Sequence, residues 1–194
     1  MIFSIDKVSF YKKIGTVILL TCYPASILFS QIITKETTLD VLNYELKLEV
    51  DIENESIQGK VNIEFLINPD ESKVVFDSGN LKILEVVGKN VVSFLQKTKK
   101  VIIYLNNRND NHNLIQITYS GRPSHGLVFL PNSKEVYTVF STSQWMICND
   151  SPGDRAKFKI ELSVPSDKQC VASGILTHKA NLNDRFQYSW VQDF

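Results

Sequence analysis

Hydrophobic and polar residues alternate with a period of two along most of this chain. Leu42, Tyr44, Leu46, Leu48, Val50 and Ile52 are interleaved with Asn43, Glu45, Lys47, Glu49 and Asp51. That pattern predicts a strand with one face in a core and the other in water. After the polar turn Glu53-Asn54-Glu55, Ile57, Val61, Ile63, Phe65 and Ile67 repeat it, so the two runs read as a long antiparallel hairpin. Gly59 interrupts the second run, where a bulge or the close approach of another backbone is expected.

Shorter apolar runs follow at 74–77, 81–87, 91–95, 101–105, 114–120, 127–130, 136–140, 171–178 and 186–191. Turn chemistry separates them, including Ser78-Gly79-Asn80, Gly88-Lys89-Asn90 and the polar stretch 106–113. Lys97-Thr98-Lys99-Lys100 falls between two of the runs and reads as a solvated hairpin tip. A further strand is predicted where Phe158, Ile160, Leu162 and Val164 alternate with Lys157, Lys159, Glu161 and Ser163 until Pro165 closes the run. It is entered through Asn149-Asp150-Ser151-Pro152-Gly153-Asp154, in which Pro152-Gly153 suits the central positions of a type II turn. No window carries an apolar stripe at helical spacing. About ten short strands predict an all-β domain over residues 39–194, built of large antiparallel sheets in a sandwich or a saddle.

Composition narrows the class. With 194 residues, 21 basic and 21 acidic side chains and only eight glycines, the chain has the make-up of a folded domain. Balanced charge gives no basic face for nucleic acid. Residues 1–38 differ in kind: Lys7, Lys12 and Lys13 precede the uncharged run 14–33, IGTVILLTCYPASILFSQII. A basic segment before an apolar one is the pattern of an export signal, here a hydrophobic helix with a cleavage point after Ser30. The run also has the ~20 residues of a spanning helix, so a retained membrane anchor stays open. Either of these readings makes the protein exported (periplasmic, extracellular or membrane-anchored); the competing reading is a core helix of a cytoplasmic protein.

Residues able to carry chemistry are few. His112, His125 and His178 are far apart, and no two stand at the i, i+4 spacing that puts metal ligands on one helix face. Asp150 is acidic and beside a tight turn; an Asx-type turn, its carboxylate accepting backbone N–H groups and pairing with Arg155, competes with a catalytic reading. Arg155 could equally hold Asp154 or a carboxylate of another domain. Cys148 and Cys170 are candidates for a disulfide, against Cys148 as a small buried thiol. Ser141-Thr142-Ser143 has hydroxyls but no neighbouring base in sequence.

The stretch Trp145-Met146-Ile147-Cys148-Asn149-Asp150-Ser151-Pro152, a W-x-x-C-x-D-x-P corner, is followed by Arg155-Ala156-Lys157-Phe158 and a strand ending in Val164-Pro165. This resembles the N-terminal β domain of the aminopeptidase N-like zinc metallopeptidases, the gluzincin aminopeptidases, although Ile147 stands where many members have Pro. The resemblance extends in order through Tyr44-Glu45-Leu46-Lys47-Leu48, Gly59-Lys60-Val61, Ile117-Thr118-Tyr119-Ser120-Gly121, Gly126-Leu127 and Trp190-Val191-Gln192-Asp193-Phe194. It implies a mostly antiparallel β domain that packs against a catalytic domain. It also implies zinc held by H-E-x-x-H and a peptide N terminus held by G-x-M-E-N, neither of which occurs in this chain. No catalytic residue, metal ligand or cofactor is therefore expected here, and no peptide hydrolysis by the chain alone; peptide substrate is a partner only beside the catalytic domain. One site residue carries over: Gln144, nearest to the family's Gln or Glu that reaches from the β domain towards the substrate amine, against an ordinary strand-end residue. Trp145, Cys148, Asp150, Pro152 and Arg155 are implied as the structural corner. The alternative is a free-standing exported β module that binds a partner through a sheet edge or an apolar face.

Overall fold

The computed structural model describes residues 39–193 except 107, 108, 131 and 133. The run at 14–33, expected as a signal or anchor, lies outside the described residues. In chain order the strands are β1 (Asp40–Asp51), β2 (Ser56–Leu66), β3 (Lys73–Gly79), β4 (Lys82–Gly88), β5 (Val91–Lys97), β6 (Lys99–Leu105), β7 (His112–Gly121), β8 (Leu127–Leu130), β9 (Glu135–Thr138), β10 (Lys157–Pro165), β11 (Ile175–Leu182) and β12 (Arg185–Gln192). A single 3-10 turn at Thr142–Gln144 is the one helical element among the described residues. The chain is all-β there.

Seven strands form the main sheet in the order β11-β12-β10-β1-β2-β7-β4, with β3-β6-β5 and β8-β9 as smaller sheets. The β1–β2 hairpin is as the alternation predicts, pairing Leu46 with Val61 and Leu48 with Gly59. Every pairing is antiparallel except one: β1 runs parallel to β10, Leu46 beside Ile160. Alternation fixes which face a residue takes but not the direction of its neighbour, so that pairing was not legible. The main sheet buries Leu46, Leu48, Val61, Ile63, Ile117 and Tyr119 on one face. Phe65 of β2 meets Phe76 of β3 edge-on at 5.6 Å, which brings the three-stranded sheet against that face. Each such buried side chain contributes about 1.5–3 kcal/mol. The opposite face is polar: Glu161 takes Lys47 at 3.1 Å and the Gln187 amide at 3.0 Å. The Lys47 end of this pair stands in water while Glu161 is largely covered, and screening at the lysine end keeps its contribution to stability modest.

Local departures from strict alternation have local causes. A bulge between Val41 and Asn43 turns Val41 into the core in place of Leu42. Another between Ile83 and Glu85 accounts for the irregular run at 81–87. No bulge occurs at Gly59. Instead the Tyr119 ring from the neighbouring strand lies over it, so close that a Cβ there would fall 2.1 Å from Tyr119 Cζ. The run expected at 171–178 starts later, at Ile175, because Gly174 has φ +93° and its Cα faces the Val191 carbonyl. Only glycine takes that conformation readily.

Candidate functional site

The corner from Phe140 to Arg155 crosses the core face of the main sheet, and its backbone is anchored at both ends. Cys148 exchanges backbone hydrogen bonds with Asp77 of β3, at 2.7 and 3.2 Å, extending the smaller sheet by one bridge. The Tyr119 hydroxyl donates to the Trp145 carbonyl at 3.0 Å. Further along, the Asn149 N–H donates to the Tyr44 hydroxyl at 2.9 Å. Met146, Ile147 and Cys148 are buried between these anchors. The sequence put bulky apolar residues there because both sheets close over them.

The acidic turn is built differently from expectation. The Asp154 N–H donates to the Ser151 carbonyl at 3.1 Å, so Pro152-Gly153 are the central pair of a β-turn. Gly153 does not take the positive φ of a type II turn. Pro at the first central position presets only a φ that types I and II share, so the dipeptide did not choose between them. Asp154, not Asp150, is the carboxylate that ties the turn down. Its oxygens accept from the Val41 N–H at 3.2 Å and from the Asn149 side-chain amide. Asp150 is exposed, and its N–H donates to the Asp77 carboxylate at 3.3 Å. Pro152 and Arg155 are also exposed, and among the described residues Arg155 pairs with neither Asp150 nor Asp154. Tyr44, Tyr119 and Asp77 complete the corner; all lie on strands distant in sequence, which no local pattern reveals.

Gln144 ends the 3-10 turn and is buried in a slot between two glycines, both at positive φ. A Cβ on Gly79 would come within 2.9 Å of its Cδ, and one on Gly126 within 3.1 Å of its Cβ. Its Oε1 is buried without a hydrogen-bond partner among the described residues, as are the neighbouring Trp145 Nε1 and Ser78 Oγ. The chain reaches this slot through Phe140 and Ser141, at φ 47° and 46°, two consecutive non-glycine residues in the left-handed region. Each costs about 1 kcal/mol or more there.

Acid–base chemistry at the corner is suppressed. Burial pushes the Cys148 thiol well above its ordinary range, aided by the charges of Asp150 and Asp77. The Tyr119 and Tyr44 hydroxyls are pushed up by burial as well. Cys148 and Cys170 are both free thiols, so no disulfide joins them. The zinc implied by the resemblance has no fit here. His112 pairs with Glu64 at 2.7 Å, His125 with the Ser124 hydroxyl at 3.0 Å, and His178 lies on β11. No three His, Cys, Asp or Glu among the described residues converge to hold a metal ion.

Comparison with known proteins bears on this arrangement. Residues 41–194 match the family model described as the peptidase M1 N-terminal domain. No curated protein matches this chain. Among solved structures, the M1 zinc metallopeptidase of Deinococcus radiodurans is similar with a TM-score of 0.72 at 23% identity, over 80% of this chain and 39% of that one. A mutant of it bound to a Tyr-Ser-Ala substrate gives 0.72 at 24% identity, over 79% and 39% of the two chains. A mutant two-domain M1 zinc metallopeptidase bound to L-tryptophan gives 0.72 at 22%, again over 79% and 39%. The likeness is one of fold, and this chain spans about two-fifths of the length of these structures, 39%.

Proposed function

Because this chain belongs to the family of M1 peptidase N-terminal domains, we propose that it is the non-catalytic β domain of an exported zinc aminopeptidase. It packs against a catalytic domain that carries the metal, and it helps shape the site for the peptide's N terminus. The observation that carries this reading is the family match over 41–194, joined to a corner built from buried, proton-holding groups instead of reactive ones. Export rests on the basic and apolar segments ahead of residue 39. Residues 39–194 act as the domain proper, its sheets forming the saddle on which the catalytic half rests.

Within this reading Gln144 is the residue that meets the substrate amine. An amide oxygen is a suitable acceptor for an ammonium, and a buried carbonyl oxygen without a partner costs about 1–3 kcal/mol that a donor would recover. The slot around it is nearly closed, so that contact requires the backbone at Phe140 and Ser141 to shift. The chain alone is expected to leave an amino-acid anilide intact in the presence of zinc, since no residue set among the described residues is arranged to activate a water. Turnover of the anilide by the purified chain, abolished by a chelator, would overturn the proposal.

A further inference from the structure

β4 ends the main sheet and β5 ends the three-stranded one, and these two edges lie together, each blunted against strand addition. A bulge falls between Ile83 and Glu85 on β4 and another between Val91 and Ser93 on β5. The Gln96 amide of β5 also occupies the β4 edge, accepting from the Ile83 N–H at 3.0 Å and donating to the Leu81 carbonyl. Both bulge residues are aliphatic and stand in water: Leu84 is 50% exposed and Val92 60%. Val87 and Leu114 are exposed near Leu84 on the outer face of the main sheet, and Phe94 lines the cleft between β4 and β5. Leu95 is exposed on the outer face of the smaller sheet, where it continues through Ile102 to Val75. Together these side chains form an apolar band that wraps the ridge where the two sheets meet.

Positive charge is concentrated on the same ridge. Residues 82–100 hold five lysines and a single acid, Glu85, in a chain with 21 basic and 21 acidic side chains overall. Lys82 and Lys89 flank the apolar run of β4, and Lys97, Lys99 and Lys100 cluster where β5 turns into β6. Among the described residues Lys100 alone of the five forms an ion pair, with Asp77 at 3.0 Å. The opposite edge of the main sheet is built otherwise. β11 is bulged between Leu176 and His178, but the residue there, Thr177, is polar and its hydroxyl donates to the Ser189 carbonyl at 3.1 Å. Lys179 turns its ammonium inward over the Phe186 and Tyr188 rings, at 4.8 and 5.1 Å from their centroids, and the Tyr188 hydroxyl is buried without a partner among the described residues. Ile175 and Leu176 are exposed on β11 too, yet the lysine beside them is engaged within its own sheet.

We infer that the β4–β5 ridge is a membrane-contact surface, seating Leu84, Val92, Phe94 and Leu95 in the interfacial layer of an anionic bilayer while the lysines at its ends meet lipid phosphates. An apolar band of this extent marks an interaction site, and its shape and charge choose the occupant. A ridge enters a soft lipid layer directly, whereas a protein partner needs a cleft to match it. The two bulges and the Gln96 amide block a second copy from adding to these edges as a strand. Aliphatic side chains fill the band, where a nucleic acid strand needs aromatic platforms on which to stack. The lysines supply the complementary charge: near an anionic surface each strengthens attachment about fivefold. The contact belongs to the folded domain and is additional to any anchoring by the sequence run 14–33.

The test reads the ridge locally, so that the run 14–33 does not decide it. A polarity-sensitive fluorophore is attached to Val92→Cys in the full chain, with Cys22→Ser and Cys170→Ser leaving only the buried Cys148 as a second thiol. Vesicles of phosphatidylcholine with about one-third phosphatidylglycerol are expected to shift its emission to the blue, and vesicles of phosphatidylcholine alone to leave it unchanged. Replacing Lys82, Lys89, Lys97 and Lys99 together by Gln is expected to weaken the response about a hundredfold or more, and added salt to weaken it as well. The same fluorophore on Val171→Cys should report water throughout. A label on Leu84→Cys gives a second reading should the first variant fold poorly. No shift from either label with anionic vesicles, or one as large with neutral vesicles, overturns the proposal. A shift that appears without vesicles and grows with protein concentration also overturns it, and assigns the ridge to contact between copies of the chain.

Discussion

At the level of single residues, the fit between Gly59 and Tyr119 shows how a position is chosen by something far away in sequence. Gly59 has no side chain because the Tyr119 ring occupies that space, and from there its hydroxyl reaches the Trp145 carbonyl that fixes the corner. Gly59→Ala would place a methyl group 2.1 Å from Cζ, so the ring would have to leave and the hydrogen bond with it. Overpacking and an unpaired buried carbonyl together are expected to cost about 3 kcal/mol. Urea unfolding checks this, and a midpoint within error of the unsubstituted chain would mean that the ring yields freely. The sequence flagged the interruption but could not name its cause, since an isolated glycine reads equally as a bulge or a close backbone. Asp150 and Asp154 make the same point. Both sit in one polar loop, and only the position of the Val41 N–H, on the first strand, makes Asp154 the one that holds the turn.

Among the elements, strand existence was legible almost throughout and strand relations were not. Each buried face of β1, β2, β6, β7 and β10 follows from period-two alternation, because one side of each strand meets the core and the other meets water. Bulges shift that phase by one residue without altering composition, which is why Leu42 was read inward and Val41 is found there. The start of β11 was misjudged because Val171, apolar but outside the strand, looks like its first residue. That edge strand also supports a prediction. Lys179 lies over two rings and opposes edge pairing, so Lys179→Ile should remove the obstacle while keeping strand propensity. Sedimentation velocity should then show the variant shifting from the size of the unsubstituted chain towards dimers and larger species. An unchanged distribution would mean that the bulge alone protects the edge.

Taken as a whole molecule, the corner is where residues from both halves of the chain are sealed together, and that makes its stability respond to pH in one direction. The corner residues were named through the family resemblance; that Tyr44 and Tyr119 would converge on that stretch was not legible, because both come from strands whose pairing is set by the full sheet. Burial pushes the Tyr44, Tyr119 and Cys148 protons to higher pKa, and it lifts the Cys170 thiol from 9.0 to about 11. Each of these groups is neutral when protonated. As pH rises past the ordinary cysteine value of 9.0 and tyrosine value of 10.0, the unfolded chain releases protons that the folded chain still holds. Unfolding is therefore favoured: the stability from these groups is full below pH 9 and is lost as pH climbs towards their folded values. The melting temperature is expected to be level from about pH 7 to 8.5 and to fall steadily between about pH 9 and 11. Cys170→Ala should remove only a small part of the fall, because that thiol is half-buried and shifted least, whereas Tyr44→Phe should remove more at the cost of the Asn149 hydrogen bond. A melting temperature that holds level through pH 11 would mean that these groups ionise in the folded chain as easily as in the unfolded one, and the corner would not be the sealed joint its hydrogen bonds describe.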